Sequence, residues 1–355
     1  MLAILVLAGT LIFASAAFGL VARGSINISS VAFNHLALGV GLGLMALIIA
    51  TNIDYRSWRQ FAPYIYVFTL IMTALVFVPQ LGMEHGGGRR WLDIFGFSLQ
   101  PSEFLKIGAI IMAAAYFSSI RPLVGSWIYG LGGYLVVLAG PALILVLQPD
   151  LGTLGVIAFS ISAIYFASGA RLRHVVVILC VGIIALSLLS IARPYVRDRV
   201  MTFFDPSQGQ QAEGYQIRQS LIAIGSGGLM GRGFGQGVQK FTYLPEPMGD
   251  SIFAVVGEEL GFIGSVLLIL LFLAFALRGY RVATHSSDPF GALLAVGIAT
   301  YLASEAFINI AAMLGVAPLT GIPLTFISQG GSAMLASLAA AGILLSVSRY
   351  HQAKH

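Results

Sequence analysis

Apolar residues dominate this chain in long unbroken runs, not in alternation. A membrane-spanning helix needs about 20 mostly apolar residues. Ten runs approach that length: 1–21, 31–53, 61–80, 102–119, 127–147, 151–168, 174–192, 251–277, 290–312 and 331–348. Hydrocarbon accepts only helices or closed barrels, and continuous runs read as helices. Pro63 and Pro141 lie inside two runs, where a membrane helix tolerates a kink. The first run lacks a basic leader and a convincing cleavage site, so it reads as a span, not a signal peptide. Between the seventh and eighth runs lies a polar segment, 193–250. A loop this long is usually functional, and its apolar stretch from Leu221 to Ile224 predicts short interfacial helices. The expected fold is an all-α polytopic integral membrane protein with about ten transmembrane helices. It forms a single membrane domain over 1–355, with 193–250 inserted as one long extracytoplasmic loop between spans 7 and 8.

Composition strengthens this reading. Of 355 residues, 58% are hydrophobic and only 9% charged, against about 25% charged in a soluble domain. A cytosolic enzyme, a disordered chain and a disulfide-stapled secreted domain are excluded. Cys180 is the single cysteine, so neither an internal disulfide nor a cysteine metal cage can form. The histidines (His35, His85, His174, His285, His351, His355) are scattered, and no metal site is expected from them. A net charge of +5 reports cytoplasmic Lys and Arg, not nucleic-acid binding. With the N-terminus inside, the inner loops and tail hold nine: Arg56, Arg59, Arg121, Arg171, Arg173, Arg278, Arg281, Arg349 and Lys354. The short outer loops hold only Arg23, Arg89 and Arg90. Both termini are therefore expected in the cytoplasm, which puts 82–101 and 193–250 outside.

Some polar residues fall where lipid should be. Glu103 and Lys106 share a helical face at the start of the fourth run. They read either as an interfacial ion pair or as a cavity-lining pair, and Ser102 adds a possible helix cap. Glu258 and Glu259 lie about two turns into the eighth run and should meet Arg or Lys of the outer loop. Glu305 and Asn309 share a face suited to interhelical hydrogen bonds. Asp250 follows Leu244-Pro245-Glu246-Pro247-Met248-Gly249, a rigid stretch. It reads either as a helix cap or as a general base. The glycine-rich patch Gly225–Gly237 matches neither dinucleotide nor Walker patterns. It reads as a flexible turn, or, with Arg218, Arg232 and Lys240 around it, as a diphosphate cradle.

Taken together, the polar blocks resemble the SEDS family (shape, elongation, division and sporulation). They are Gly88-Arg89-Arg90-Trp91-Leu92, then Gln100-Pro101-Ser102-Glu103 with Lys106, and Gln148-Pro149-Asp150-Leu151-Gly152-Thr153. The long loop adds Asp205-Pro206, Tyr215-Gln216, Gly227-Gly228-Leu229 with Gly231 and Gly233, Leu244-Pro245, Asp250, and Glu258-Glu259 with Gly261. The last block, 309–333, holds Asn309, Pro318, Gly321 and Ser328 to Ser332. Gln329 departs from the small residue or Tyr usual there. Short tails and a compact loop after Leu244-Pro245 are similar to the elongation branch more than to the division branch.

The resemblance implies a multi-pass enzyme of the bacterial cytoplasmic (inner) membrane, a peptidoglycan glycosyltransferase that polymerises lipid II at the outer face. It implies work with a class B penicillin-binding protein and the elongation machinery, for rod shape. It places the essential carboxylate at Asp250 and a cavity-lining pair at Glu103 and Lys106. Trp91, Arg89, Arg90, Gln100, Arg218, Lys240 and Glu258 join as substrate or cavity candidates. Arg89, Arg90, Arg218, Arg232 and Lys240 are the cations available for a leaving diphosphate. A divalent cation (Mg or Mn) would need oxygens of Asp250, Glu246 or the diphosphate. Partner contact is expected on the ninth span, where Gly297, Ala303 and Ala306 permit close helix approach. A lipid II flippase and a non-catalytic scaffold for the penicillin-binding protein remain as alternatives.

Overall fold

The computed structural model describes residues 1–22, 33–85, 88–94, 97–204 and 212–352. Arg23, Lys354 and the Asp205-Pro206 block lie outside them. Helices occupy all ten expected runs. They begin with α1 (Leu2–Ala22), α2 (Leu42–Asn52, entered through a π-helical stretch Phe33–Gly41) and α3 (Tyr55–Ala74). Next come α4 (Ser102–Ser119), α5 (Gly133–Leu147, preceded by a π-helical Trp127–Gly132), α6 (Leu151–Ala167) and α7 (Leu172–Ala192). The 193–250 segment supplies three short helices, α8 (Pro194–Phe204), α9 (Ala212–Ser226) and α10 (Gln239–Thr242). The chain ends with α11 (Ile252–Thr284), α12 (Pro289–Met313) and α13 (Gly331–Gln352). Among the described residues seven helical stretches are long and apolar enough to cross a membrane. The apolar parts of α1 and α6 are shorter, and α4 carries Glu103 and Lys106 in its first turns.

Part of the polar segment 82–101 departs from the all-α expectation. It forms an antiparallel sheet ordered β1 (Gly82–His85), β2 (Gly88–Ile94), β3 (Phe97–Leu99). Trp91 pairs with Met83, and Leu92 with both Gly82 and Leu99. The segment is too short and too polar to announce a strand by alternation. Arg90 anchors β2 from outside the sheet: its guanidinium donates to the carbonyls of Gln148 (3.2 Å) and Pro149.

The described residues form two compact units. One comprises 1–33, 177–274 and 305–330; the other comprises 34–176, 275–304 and 331–355. In the second, α13 packs on α2, and α4 on α3 and α6. Asp150 caps α6 through the Thr153 amide (3.2 Å) and hydroxyl (2.9 Å), which accounts for the Gln148–Thr153 block.

The small residues of α12 face this chain, not a partner. A Cβ on Gly297 would meet Ile164 at 2.6 Å and Ile110 at 2.7 Å, and Ala303 and Ala306 are buried. The expected partner contact through these three residues is therefore corrected: α12 spends them on internal packing.

Candidate functional site

In the first unit, Asp250 sits on a turn braced from three directions. Gln216 on α9 donates its amide to Asp250 Oδ1 at 2.9 Å and to Ser251 Oγ at 2.9 Å. Asn309 on α12 donates to the Asp250 carbonyl (2.7 Å) and to the Ile322 carbonyl (2.8 Å). Ser328 donates to the Gly249 carbonyl (2.6 Å), and the Gln329 amide donates to the Met248 carbonyl (2.7 Å). Buried carbonyls need such partners. The Asn309 and Ser328 positions of the C-terminal signature are thus the struts of this turn, and Gln329 serves through its backbone, so its side-chain identity is not what the turn uses. Glu246 adopts φ +43 between two prolines, the left-handed region a non-glycine residue occupies only when its surroundings enforce it.

The cap reading of Asp250 does not describe this geometry. Helix α11 begins at Ile252, and the carboxylate takes its hydrogen bond from the Gln216 side chain. Asp250 is half-buried. Burial first, and the nearby Glu246 carboxylate second, push its pKa up to about 6; Gln216 and Arg199 oppose the rise. A carboxylate poised near neutrality suits proton abstraction.

Arg199 was not singled out from the sequence, where it is one of six basic residues in the long loop. Its Nε pairs with Glu213 Oε1 at 3.0 Å, its Nη1 donates to the Thr320 carbonyl at 3.4 Å, and it lies 4.5 Å from the Tyr195 ring centre. Gln216 was noted only as part of a motif block. Its spacing of three from Glu213 was the available signal, since both lie on one face of α9.

The glycine patch is neither a loose turn nor an open anion cradle. The amides of Arg232 and Gly233 donate to the carbonyls of Glu258 and Glu259 (both 3.0 Å), and those of Phe262 and Ile263 donate back to Gly228 (2.9 Å) and Leu229 (3.2 Å). Helix α11 breaks at Gly261 (φ +67) to receive this splice. Gly231 (φ +81) comes so close that a Cβ would stand 2.1 Å from the Glu259 carbonyl oxygen.

Carboxylates also fill the positions a phosphate would need. Glu258 accepts from the Val238 (2.8 Å) and Gln239 (3.1 Å) amides and lies 3.6 Å from Arg232; Glu259 accepts from the Gly235 amide at 2.9 Å. Lys240 is fully buried and donates to Glu259 Oε1 (2.5 Å), Ser15 Oγ (2.7 Å) and the Ser15 carbonyl (2.9 Å). Lys240 and Glu258 are therefore corrected from substrate contacts to parts of an internal brace. The charge partners expected for Glu258 and Glu259 are Arg232 and Lys240.

In the second unit, Lys106 Nζ and Glu103 Oε2 form a buried pair at 2.8 Å, with Nζ 4.9 Å from the Tyr301 ring centre. Ser102 does not cap α4; its hydroxyl accepts from Gln100 Nε2 at 3.1 Å. The Gln100 amide donates to Ser332 Oγ at 3.3 Å, so the last serine of the signature serves this unit. Arg90 is engaged with the Gln148 and Pro149 carbonyls ahead of α6. Arg89 is exposed and Trp91 half-buried on β2. Arg218 is exposed and donates to the Gly214 carbonyl at 3.4 Å. Among the described residues no group of three or more His, Cys, Asp or Glu could hold a metal ion.

The chain matches the FTSW_RODA_SPOVE family of cell cycle proteins over residues 1–353. It is 41% identical over 310 residues to "Probable peptidoglycan glycosyltransferase FtsW" of Geobacter metallireducens, covering 86% of this chain and 82% of that one. Among solved structures it is similar to a chain of a peptidoglycan synthase complex described as coordinating polymerization and crosslinking (TM-score 0.76, 29% identity, 96% of each chain). It is also similar to the rod shape determining protein RodA of Thermus thermophilus (TM-score 0.70, 28% identity, 98% of this chain and 95% of that one).

Proposed function

The chain belongs to the FtsW/RodA/SpoVE family of cell cycle proteins, and from that membership we propose that it polymerises lipid II into glycan strands at the outer face of the bacterial cytoplasmic membrane, with Asp250 as general base. It is a multi-pass membrane protein and a peptidoglycan glycosyltransferase by its relatives. The single observation that carries the Asp250 assignment is its half-buried carboxylate, braced by the Gln216 amide at 2.9 Å.

The chemistry follows from that carboxylate. The acceptor hydroxyl gives its proton to Asp250 as its oxygen attacks the donor's anomeric carbon, and the diphosphate departs with the bonding electron pair. An α-linked donor giving a β-linked strand is an inversion, so one displacement suffices and no covalent nucleophile is needed. Gln216 holds one carboxylate oxygen and thereby aims the other. A divalent cation would be held by carboxylate oxygens of Asp250 and Glu246. Such an ion would supply charge for the leaving group.

The partner we propose is a class B penicillin-binding protein, supported by the likeness to a chain of a synthase complex. We assign the chain to the elongation branch, supported by its compact loop after Leu244-Pro245 and by its likeness to RodA. Depletion should then round the cells; filamentation would place it in division instead.

The test uses purified protein with its crosslinking partner and lipid II in detergent, with the other class of polymerase inhibited. Long strands from the wild type support the proposal. Passage of lipid II across vesicles without strands would favour a transporter. Neither activity, with the partner still bound, would favour a scaffold.

A further inference from the structure

We propose that Arg199 is the cation that receives the departing diphosphate beside Asp250, an inference that rests on the glycosyltransferase reading above. Glu213 and Gln216 of α9 are three apart and project from one face. Gln216 holds the Asp250 carboxylate, and Glu213 holds the Arg199 guanidinium. The loop after α12 repeats the arrangement: the Thr320 carbonyl accepts from Arg199, and the Ile322 carbonyl shares the Asn309 amide with the Asp250 carbonyl. Two elements therefore fix a base and a guanidinium side by side, each through residues two or three apart in sequence.

Three of the other cations are already engaged. Lys240 is sealed inside its ion pair, Arg232 lies against Glu258, and Arg90 is spent on the Gln148 and Pro149 carbonyls. Arg199 keeps 19% of its side chain exposed, and Glu213 keeps 28%. A guanidinium presents five donors in a planar fork that suits phosphate oxygens. Glu213 acts as a placeholder that a diphosphate displaces. In the reaction the acceptor O–H proton passes to Asp250 while the new glycosidic C–O bond forms. The bond from the anomeric carbon to the diphosphate oxygen breaks, and Arg199 takes the charge that collects on that oxygen.

The test uses the full-length protein with its crosslinking partner, comparing wild type, Arg199→Lys, Arg199→Gln and Glu213→Gln. Strand formation is measured against lipid II concentration, and farnesyl diphosphate serves as a soluble competing probe. Arg199→Gln should lose about 10²–10³-fold in kcat/KM, the usual loss on removing a group that stabilises developing charge. Arg199→Lys should recover part of it. Inhibition by farnesyl diphosphate should weaken in Arg199→Gln. Arg199→Gln that polymerises within twofold of wild type, or is inhibited equally, overturns the inference while leaving the enzyme reading intact. Failure of the wild type to make strands sinks the enzyme reading itself. Should Arg199→Gln not fold, Glu213→Gln decides: it should tighten farnesyl diphosphate inhibition, and unchanged inhibition refutes the role.

Discussion

Replacing Lys240 with methionine tests how the long loop is held. Methionine keeps an unbranched apolar stem but has no ammonium. The ammonium's contacts to Glu259 Oε1 at 2.5 Å, Ser15 Oγ at 2.7 Å and the Ser15 carbonyl at 2.9 Å vanish. Glu259 remains buried, and among the described residues the Ser15 hydroxyl (2.7 Å) and Gly235 amide (2.9 Å) are left to offset its charge. Breaking one side of a buried pair costs about 3–5 kcal/mol, a large share of a typical stability of roughly 5–15 kcal/mol. Removing both charges, as Lys240→Met with Glu259→Met, should cost less than the two single changes added together. It leaves no orphan charge, only an unpaired hydroxyl and amide at about 1–3 kcal/mol each. The assay is unfolding of all three variants with wild type in one detergent, analysed as a double-mutant cycle. A Lys240→Met protein within about 1 kcal/mol of wild type, or a double variant that loses as much as the two single changes added together, would refute the brace; the first result would put the loss below the range for an uncompensated buried charge.

Two further predictions follow from the same loop. Gly231→Ala forces a Cβ within 2.1 Å of a backbone carbonyl at φ +81, whereas Gly228→Ala at φ +55 meets nothing within 4 Å. The first should abolish folded protein in membranes, while the second should cost only about 1–2 kcal/mol, the strain of a left-handed non-glycine; size-exclusion profiles of the two compare them directly. For Asp250, the folded pKa near 6 lies above its ordinary 3.8. Between those values the native state holds a proton that the unfolded chain has released, so this group costs stability as pH rises through the window. Asp250→Asn should therefore gain thermal stability over wild type as pH climbs from about 4 to 7, while wild-type activity rises across the same range as the base ionises. Melting curves that keep a constant offset at all pH values would contradict the assignment.

What the chain discloses by itself depends on the kind of residue. The ten apolar runs each became a helix, because lipid leaves the backbone no other inexpensive state. The short helices of 193–250 were legible in Leu221 to Ile224. The sheet over 82–99 was not, because Arg89, Arg90 and Asp93 sit in its middle strand and no alternation marks it. Lys240 looked like a surface cation because sequence spacing does not report burial; its partner Ser15 lies 225 positions away. The glycine patch misled for a related reason. Its positive φ angles serve backbone contact with α11, and its amides face Glu258 and Glu259, the residues whose charge had already called for partners. Asp250 could be found from its rigid approach and motif neighbours, but whether it capped a helix or stood clear was decided by Gln216 and Asn309 in space. Arg199 needed the fold, since nothing in its local sequence separates it from Arg193 or Arg197.

The central claim is that Asp250 performs the chemistry and does not merely hold the turn. Strand synthesis from lipid II by wild type, Asp250→Asn and Asp250→Ala, each folded and bound to the crosslinking partner, measures this most directly. Asparagine keeps an oxygen that can accept the Gln216 bond but cannot take the proton. The account predicts strands from wild type alone, with both variants down by about 10²–10⁴-fold, the usual contribution of a general base. Strands from Asp250→Asn at near the wild-type rate would show that the carboxylate is structural.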